Sequence, residues 1–216
     1  MMALNTDKTK YMIFNFCSSL QFQTRLYVKD SLLSQVKQSK LLGVIISDDL
    51  TWTANTAFIV KKAYKRMIIL KKLYEFKVNI YDLIHIYIMY IRSILEQNSV
   101  VWSSSITNAE SASLERVQKC ALRIILKGEY NNYSNALSVT SLPTLVERRE
   151  NLLHRFAVKC AANAKTSDMF ELNNKHINLR HTELYKVPKA NTSRMATSAI
   201  PTMARLLNLK SQVLQT

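Results

Sequence analysis

The chain is poor in the residues that interrupt regular secondary structure: its 216 residues include only two glycines and three prolines. Glycine and proline dominate tight turns, so their scarcity argues against a fold of many short strands joined by turns. Hydrophobic residues make up 48% of the chain, which excludes wholesale disorder. The composition therefore favours a globular protein built mainly from long helices.

Cysteine is also scarce. Cys17, Cys120 and Cys160 lie far apart and form no C-x-x-C pair, which excludes a disulfide framework and a zinc finger. Cys160 with His176 and His181 has a poor spacing for zinc. The sequence thus predicts an intracellular protein without a metal site.

Long apolar runs are missing as well. The start, MMALNTDKTK, is polar and lacks the apolar stretch of a secretory signal. The most apolar segment, LIHIYIMYIRSIL, is short and is interrupted by His85 and Arg92, whereas a membrane span needs about 20 apolar residues. We expect no membrane span and no secretion, and a location in the cytoplasm, the nucleus or both.

Acidic residues are half as frequent as basic ones. The chain has 30 Lys and Arg against 15 Asp and Glu, a net charge of +15 and a pI near 9.8. Such an excess predicts a polyanionic partner, most simply a nucleic acid, with an anionic membrane surface as the alternative.

Hydrophobic patterning predicts a mainly α fold: a helical bundle with a small antiparallel β part at the N-terminus. Strand-like segments occupy residues 10–16, 25–30 and 40–47, and Gly43 in the last is expected to mark a bulge or a close approach. Helical periodicity covers residues 56–76, 80–96, 108–127 and 144–163. The second of these helices is apolar almost all round, so we expect it to be buried together with its His85.

The first predicted helix has two distinct faces at about 100° per residue. Its apolar face consists of Ile59, Ala63, Met67, Leu70 and Tyr74. A cationic stripe on another side consists of Lys61, Lys62, Lys65 and Lys72. This stripe suits the phosphates of a nucleic acid, although a solvated face that serves solubility is the alternative. The third helix carries a similar basic edge: Arg116, Lys119, Arg123 and Lys127.

Asp48 and Asp49 follow an apolar strand, as metal-binding acids of polymerases do. Two-metal catalysis needs carboxylates clustered around ions about 3.5–4 Å apart. Neighbouring residues of an extended chain point to opposite sides, so these two acids cannot form such a cluster alone. We therefore expect a solvated turn here and not a catalytic centre.

Several segments together carry a resemblance to a known family. LNTDKTKYMIF is followed by KLLGVIISDDLTWTANTAFIVKKAYKRMIILKKL, then by YIMYIRSILEQNSVVWSSSIT, LERVQKCALRIIL, SLPTLVERRENLLHRFA and AIPTMARLLN. In this order and spacing the chain resembles the C-terminal part of reverse transcriptases from non-LTR (LINE-type, jockey-like) retrotransposons. Each segment is weak alone, and the resemblance covers most of residues 4–170.

The resemblance implies a domain organisation. Residues 1–54 correspond to the end of the palm and a hairpin like the primer grip, residues 55–165 to a helical thumb, and residues 166–216 to a basic, partly disordered tail. The family's catalytic F/Y-x-D-D motif lies upstream of the N-x-x-K-T-K segment. We therefore expect no catalytic residues and no cofactor in this chain, with Mg²⁺ needed only by the complete polymerase.

The implied function is nucleic-acid binding by the thumb of an RNA-directed DNA polymerase, with an RNA/DNA template–primer duplex as partner. Lys8 and Lys10 match the lysines of the family's N-x-x-K-T-K segment, and Gly43 with its neighbours matches the primer grip. Lys61, Lys62, Lys65 and Lys72 complete the expected binding set. Two alternatives stay open: a truncated retroelement remnant without independent activity, and a helical module that docks acidic proteins.

Overall fold

The structure, a computed structural model, describes residues 5–6, 8–16, 24–173 and 183–213, with side chains in the last range described to residue 209. The fold is mainly α with a small β part, as the composition predicts. The chain divides into two compact units, Met1–Phe58 and Ile59–Thr216. The described residues of each unit are considered separately below.

The described residues of the N-terminal unit form six short strands in three pairs. They are β1 (Lys10–Tyr11), β2 (Tyr27–Val28), β3 (Ser31–Leu32), β4 (Ser34–Gln35), β5 (Gln38–Leu41) and β6 (Val44–Ser47). The pairs β2–β3 and β5–β6 are antiparallel, whereas β1 and β4 pair in parallel. The predicted strands at residues 10–16 and 25–30 are therefore mostly irregular, with only two residues of each in a strand.

Residues 40–47 belong to a hairpin rather than to a single bulged strand. Leu42 and Gly43 form the turn between β5 and β6, and their φ angles are 48° and 90°. Two consecutive positive φ angles are the mark of the tight two-residue turn whose twist matches that of paired strands. Gly43 thus closes a turn, and the expected bulge at this position is wrong.

The hairpin is tied to the start of the first helix, α1 (Thr53–Glu75). The amide of Ile45 in β6 donates a hydrogen bond of 3.1 Å to Oδ1 of Asn55, whose side chain is fully buried. Asparagine is a common helix cap, and Asn55 stands just before the predicted start of this helix at residue 56. Its carbonyl oxygen instead satisfies a strand amide, because β6 lies within reach of the first turn of α1.

The helical unit contains the rest of α1 and a series of further helices. They are α2 (Ile80–Ile86), a π-helical segment (Tyr87–Arg92), α3 (Ser93–Leu95), α4 (Ser99–Trp102), α5 (Asn108–Leu126), α6 (Tyr133–Thr140), α7 (Leu145–Ala162), α8 (Ser193–Ala196) and α9 (Ala199–Val213). Capping boxes begin the two long helices α5 and α7: Thr107 with Glu110, and Thr144 with Glu147. In each box two backbone amides that lack helical partners are satisfied by side chains.

The segment from α2 to α3 is not buried all round, which corrects the expectation from its apolar composition. Leu83, Tyr87 and Ile91 are fully buried, but Tyr81 is 78% exposed and Met89 is 74% exposed. His85, expected to be buried, is exposed on the same side, at the i+4 spacing between those two residues. An apolar sequence thus presents one side to solvent here.

A buried polar network joins the segment after α2 to α5 and α6. The Tyr87 hydroxyl donates to Gln118 Oε1, and Gln118 Nε2 donates to the Tyr133 hydroxyl at 2.9 Å. The Tyr133 hydroxyl in turn donates to the Glu115 carboxylate, which also accepts a hydrogen bond from the Leu145 amide at 3.1 Å. The pKa of Tyr133 is raised far above its usual value, mainly by burial and secondly by the hydrogen bond to Glu115.

The C-terminal helix α9 packs on α7 and helps to form a hydrophobic cluster. The cluster contains Leu153, Ala157, Cys160, Phe170, Met203, Ala204 and Leu207. The family resemblance assigned residues 166–216 to a basic, partly disordered tail. Apolar residues of that region, spaced three and four apart at 203, 204 and 207, instead form one buried side of a helix.

Candidate nucleic-acid interface

The two faces predicted for α1 are present. Ile59, Ala63, Met67 and Leu70 are buried, whereas Tyr74, also predicted for the apolar face, is half-buried. Lys61, Lys65 and Lys72 are exposed, and Lys62 is half-buried. The apolar side chains turn one side of α1 to the core. The lysines, which alternate with them along the sequence, therefore lie on another side of the helix.

None of these four lysines forms an ion pair with a described residue; the three ion pairs in the described ranges join Arg92 and Arg148 to Glu96 and Lys186 to Glu171. An exposed ammonium group without a neighbouring carboxylate keeps its full charge for an external anion. The lysine stripe is therefore open to a polyanion.

Two isoleucines, which sequence reasoning missed, belong to the same exposed surface. Ile68 is 59% exposed and Ile69 is 42% exposed. At about 100° per residue, Ile69 falls among the four lysines and Ile68 roughly 20° beyond them, so the angular pattern held the signal. We call the surface formed by exposed Lys61, Lys65, Ile68, Ile69 and Lys72 and half-buried Lys62 the α1 face.

The basic edge of α5 is interleaved with tyrosines. The Lys119 ammonium lies 4.8 Å from the ring centre of Tyr133, and that of Lys127 lies 5.0 Å from Tyr74. The Arg123 guanidinium lies 5.3 Å from the ring of Tyr130. Such cation–π contacts fix the positions of long basic side chains without neutralising them. The edge therefore presents ordered positive charge.

An arginine of α1 contacts the π-helical segment. Arg66 of α1 donates a hydrogen bond of 2.6 Å to the carbonyl oxygen of Tyr90, and its guanidinium lies 4.0 Å from the centre of the Tyr90 ring. A π-helical turn disturbs the regular pairing of backbone groups, and here an arginine binds one of its carbonyl oxygens. Sequence reasoning gave no sign of this contact.

The remaining candidate residues, Lys8, Lys10 and Gly43, belong to the N-terminal unit. Lys8 and Lys10 are both exposed, and Lys10 lies in β1. Gly43 lies at the hairpin tip beside Leu42, whose side chain is 87% exposed. Within this unit the Lys40 ammonium lies 4.7 Å from the centre of the Phe58 ring.

Asp48 and Asp49 lie in a turn, as expected. The Asp49 carboxylate accepts hydrogen bonds of 2.9 Å from the Thr51 amide and from the Thr51 hydroxyl. An aspartate that binds the amide two residues on is an ordinary turn device. These hydrogen bonds fix the backbone turn that precedes α1.

The described part of the chain contains no group of three or more His, Cys, Asp or Glu side chains arranged to hold a metal ion. His176 and His181, weighed with Cys160 as zinc ligands, lie outside the described residues. No described helix has both the length and the apolar character needed to cross a bilayer.

Comparison with known proteins yields no match to a family model, a curated protein or a solved structure.

Proposed function

We propose that this chain is the nucleic-acid-binding thumb and adjoining palm end of a non-LTR retrotransposon reverse transcriptase. In this proposal the α1 face lies along the backbone of an RNA/DNA template–primer duplex. The observation that carries the proposal is the run of lysines on α1, three exposed and one half-buried, without ion-pair partners among the described residues. The resemblance of the sequence to that family supplies the identity of the duplex.

The chemistry of the α1 face suits a duplex that is read by shape. A-form duplexes display phosphates and 2′-hydroxyls along a wide, shallow minor groove. Lysine binds phosphate as a point charge, and a contact between lysine and phosphate carries no base specificity. Exposed Ile68 and Ile69 add small apolar contacts that a shallow groove accommodates without hydrogen-bond partners. Binding without sequence preference is what a polymerase requires of its thumb.

The basic edge of α5 supports the same partner. Lys119, Arg123 and Lys127 are held over tyrosine rings, so little side-chain entropy is lost when they contact phosphate. Lys8, Lys10 and Gly43 belong to the proposed contact set in the N-terminal unit. Binding of nucleic acid, and not nucleotide transfer, is the activity that we propose for this chain alone.

The test is the salt dependence of binding to a short RNA–DNA hybrid, measured by fluorescence anisotropy. Each phosphate contact contributes about 0.7 to 0.9 to the slope of log K against log salt concentration. We expect replacement of Lys61, Lys62, Lys65 and Lys72 by Gln to reduce this slope by roughly three. A slope near zero for the native chain would exclude the proposal.

A matched control removes the same charge elsewhere in the helical unit. Arg155, Lys159, Lys165 and Lys189 are also exposed, and their replacement by Gln should change the slope much less. Equal losses in the two quadruple variants would mean that net charge alone drives binding. If poly-glutamate binds the α1 face as tightly as the hybrid does, an acidic protein becomes the better partner.

A further inference from the structure

A cavity lies among four elements of the helical unit, away from the α1 face. It has a volume of about 280 Å³ and is lined by residues from the turn that follows α4, from the start of α5, from α7 and from α9. Its wall is rich in hydrogen-bonding groups: Ser104, Asn108, Ser111, Arg149 and Thr202. This volume lies close to the lower end of pockets that hold small ligands, roughly 300 Å³.

Arg149 is the most unusual group in that wall. Its residue is only 5% exposed, yet it forms no ion pair with any described residue. Burial lowers the pKa of its guanidinium, but arginine stays protonated in proteins. The carboxylates of Glu115, Glu150 and Glu96 act on this charge only from beyond ion-pair distance, and a buried cation without a directly paired anion is costly.

The hydrogen bonds of Arg149 are also incomplete. Nη2 donates to the Ser111 hydroxyl at 2.7 Å, whereas Nη1 has no partner among the described residues. The Ser104 hydroxyl, on the same cavity wall, is likewise buried without a partner in the described ranges. Two unsatisfied donors and one positive charge therefore meet at a single cavity.

We propose that this cavity binds a phosphate group, with Arg149 as the cationic anchor and with the hydroxyls of Ser104, Ser111 and Thr202 as further donors. A guanidinium fork matches the oxygens of a phosphate, and charge-assisted hydrogen bonds are roughly twice as strong as neutral ones. A phosphate oxyanion supplies several acceptors and a charge at once, which meets the unmet groups of Arg149 and Ser104 together.

Glu150 provides a further test of the proposal, because its carboxylate should repel a bound phosphate. This exposed side chain also lines the cavity. A negative charge in the wall of the cavity disfavours a bound anion, so Glu150→Gln should tighten phosphate binding. A cation site built on Glu150 predicts the opposite, and loss of binding in Glu150→Gln would overturn the phosphate assignment.

The experiment is a calorimetric titration of the full chain with inorganic phosphate, with the ionic strength held constant by chloride. We expect one site, and a Kd that rises about tenfold or more in Arg149→Gln because a charge-assisted hydrogen bond is lost. Arg148→Gln is the matched control. Arg148 is the next residue on α7, and both arms of its fork bind Glu96 at 2.8 Å instead.

Equal phosphate affinities in the native chain and Arg149→Gln, with both folded by circular dichroism, would overturn the proposal. If Arg149→Gln does not fold, Ser111→Ala and Glu150→Gln decide in its place. Weaker binding in the first and tighter binding in the second are expected, and no change in either contradicts the site.

The source of the phosphate is settled by a second arm. Two copies of a short single-stranded oligonucleotide, one with a 5′-phosphate and one without, are titrated into the native chain and Arg149→Gln. If Arg149→Gln weakens binding only of the oligonucleotide with the 5′-phosphate, the site binds a terminal or free phosphate. If it weakens binding of both oligonucleotides equally, the site binds a backbone phosphate. Neither outcome depends on the α1 face, since the proposed duplex contact there is tested by its own lysine variants.

Discussion

The two units of the chain are stabilised by different kinds of interaction. The helical unit buries whole apolar side chains between helices; Leu83, Leu114 and Leu122 have no exposed surface. Among the described residues of the N-terminal unit, Leu33 and Val44 are the buried apolar side chains. Its strands have two to four residues each. Burial of apolar side chains therefore dominates the stability of the helical unit, whereas the described residues of the N-terminal unit bury few such side chains.

Turn geometry and side-chain hydrogen bonds supply order in the N-terminal unit instead. The Leu42–Gly43 turn fixes the hairpin register, and Asn55 and Asp49 bind backbone amides on either side of the approach to α1. Each such interaction contributes only about 1 kcal/mol. The helical unit thus has the core of an independent domain, whereas the described residues of the smaller unit are stabilised by a few local contacts.

The largest expected effect is a cavity in the core of the helical unit. Leu122→Ala removes a fully buried side chain from α5, and such substitutions reduce the free energy of unfolding by about 2–5 kcal/mol. Chemical denaturation followed by circular dichroism at 222 nm measures the loss. A cost below that of an exposed substitution would mean that this core is not what stabilises the unit.

High pH should weaken the helical unit through its polar network. The pKa of Tyr133 is raised above its usual value of 10.0 in the folded state, so the unfolded chain releases this proton first. The associated stability is complete below about pH 10 and falls above it, by up to about 1.4 kcal/mol per pH unit. In Tyr133→Phe the free energy of unfolding should fall less steeply above pH 10.

The same denaturation series at pH 7 is the control for Tyr133→Phe. It measures the cost of the lost hydrogen bond alone, so that only the change of slope reports the titration. Parallel pH profiles for the native chain and the variant would contradict the shifted pKa.

The stability of the β5–β6 hairpin should depend more on the backbone conformation of Gly43 than on the exposed side chain of Leu42. Gly43 has φ of 90°, and a side chain in the left-handed region costs roughly 1–2 kcal/mol. Gly43→Ala should therefore speed hydrogen exchange of the β5–β6 amides by about 5- to 30-fold. Amides of α5 and α7 in the helical unit should keep their native rates.

The smallest effect is expected for the neighbouring residue of that turn. Leu42 is 87% exposed, so Leu42→Ala should change hairpin stability by less than about 0.5 kcal/mol. The same exchange measurement provides the number. A loss as large as that of Gly43→Ala would show that the tip is buried by a partner or by another copy of the chain.

The long helices were predictable because their signals are local. Residues 108–127 and 144–163 correspond to α5 and α7 within one residue at each end. Apolar residues repeat there at helical spacing, and T-x-x-E sequences stand at both starts. The lysines of the α1 face followed from the same periodicity, since the core side of a helix fixes where its other side points.

Other features depended on contacts between residues far apart in the sequence. The sequence of α2 and the π-helical segment gives only a weak sign that Tyr81, His85 and Met89 face solvent, because few polar residues such as Asp82 and His85 mark the exposed side among many apolar ones. Nothing in the C-terminal region showed that α9 would pack on α7. The Arg149 cavity was equally invisible, since four separate elements build its wall.

The mainly helical class, the long helices and the excess of positive charge can be derived from the amino-acid sequence alone, because periodicity and composition are local properties. Which apolar surfaces are covered and which charges have an ionic partner depends on how the helices pack. Arg148 and Arg149 illustrate the reason: they are adjacent and chemically identical, yet one meets Glu96 and the other meets an open cavity.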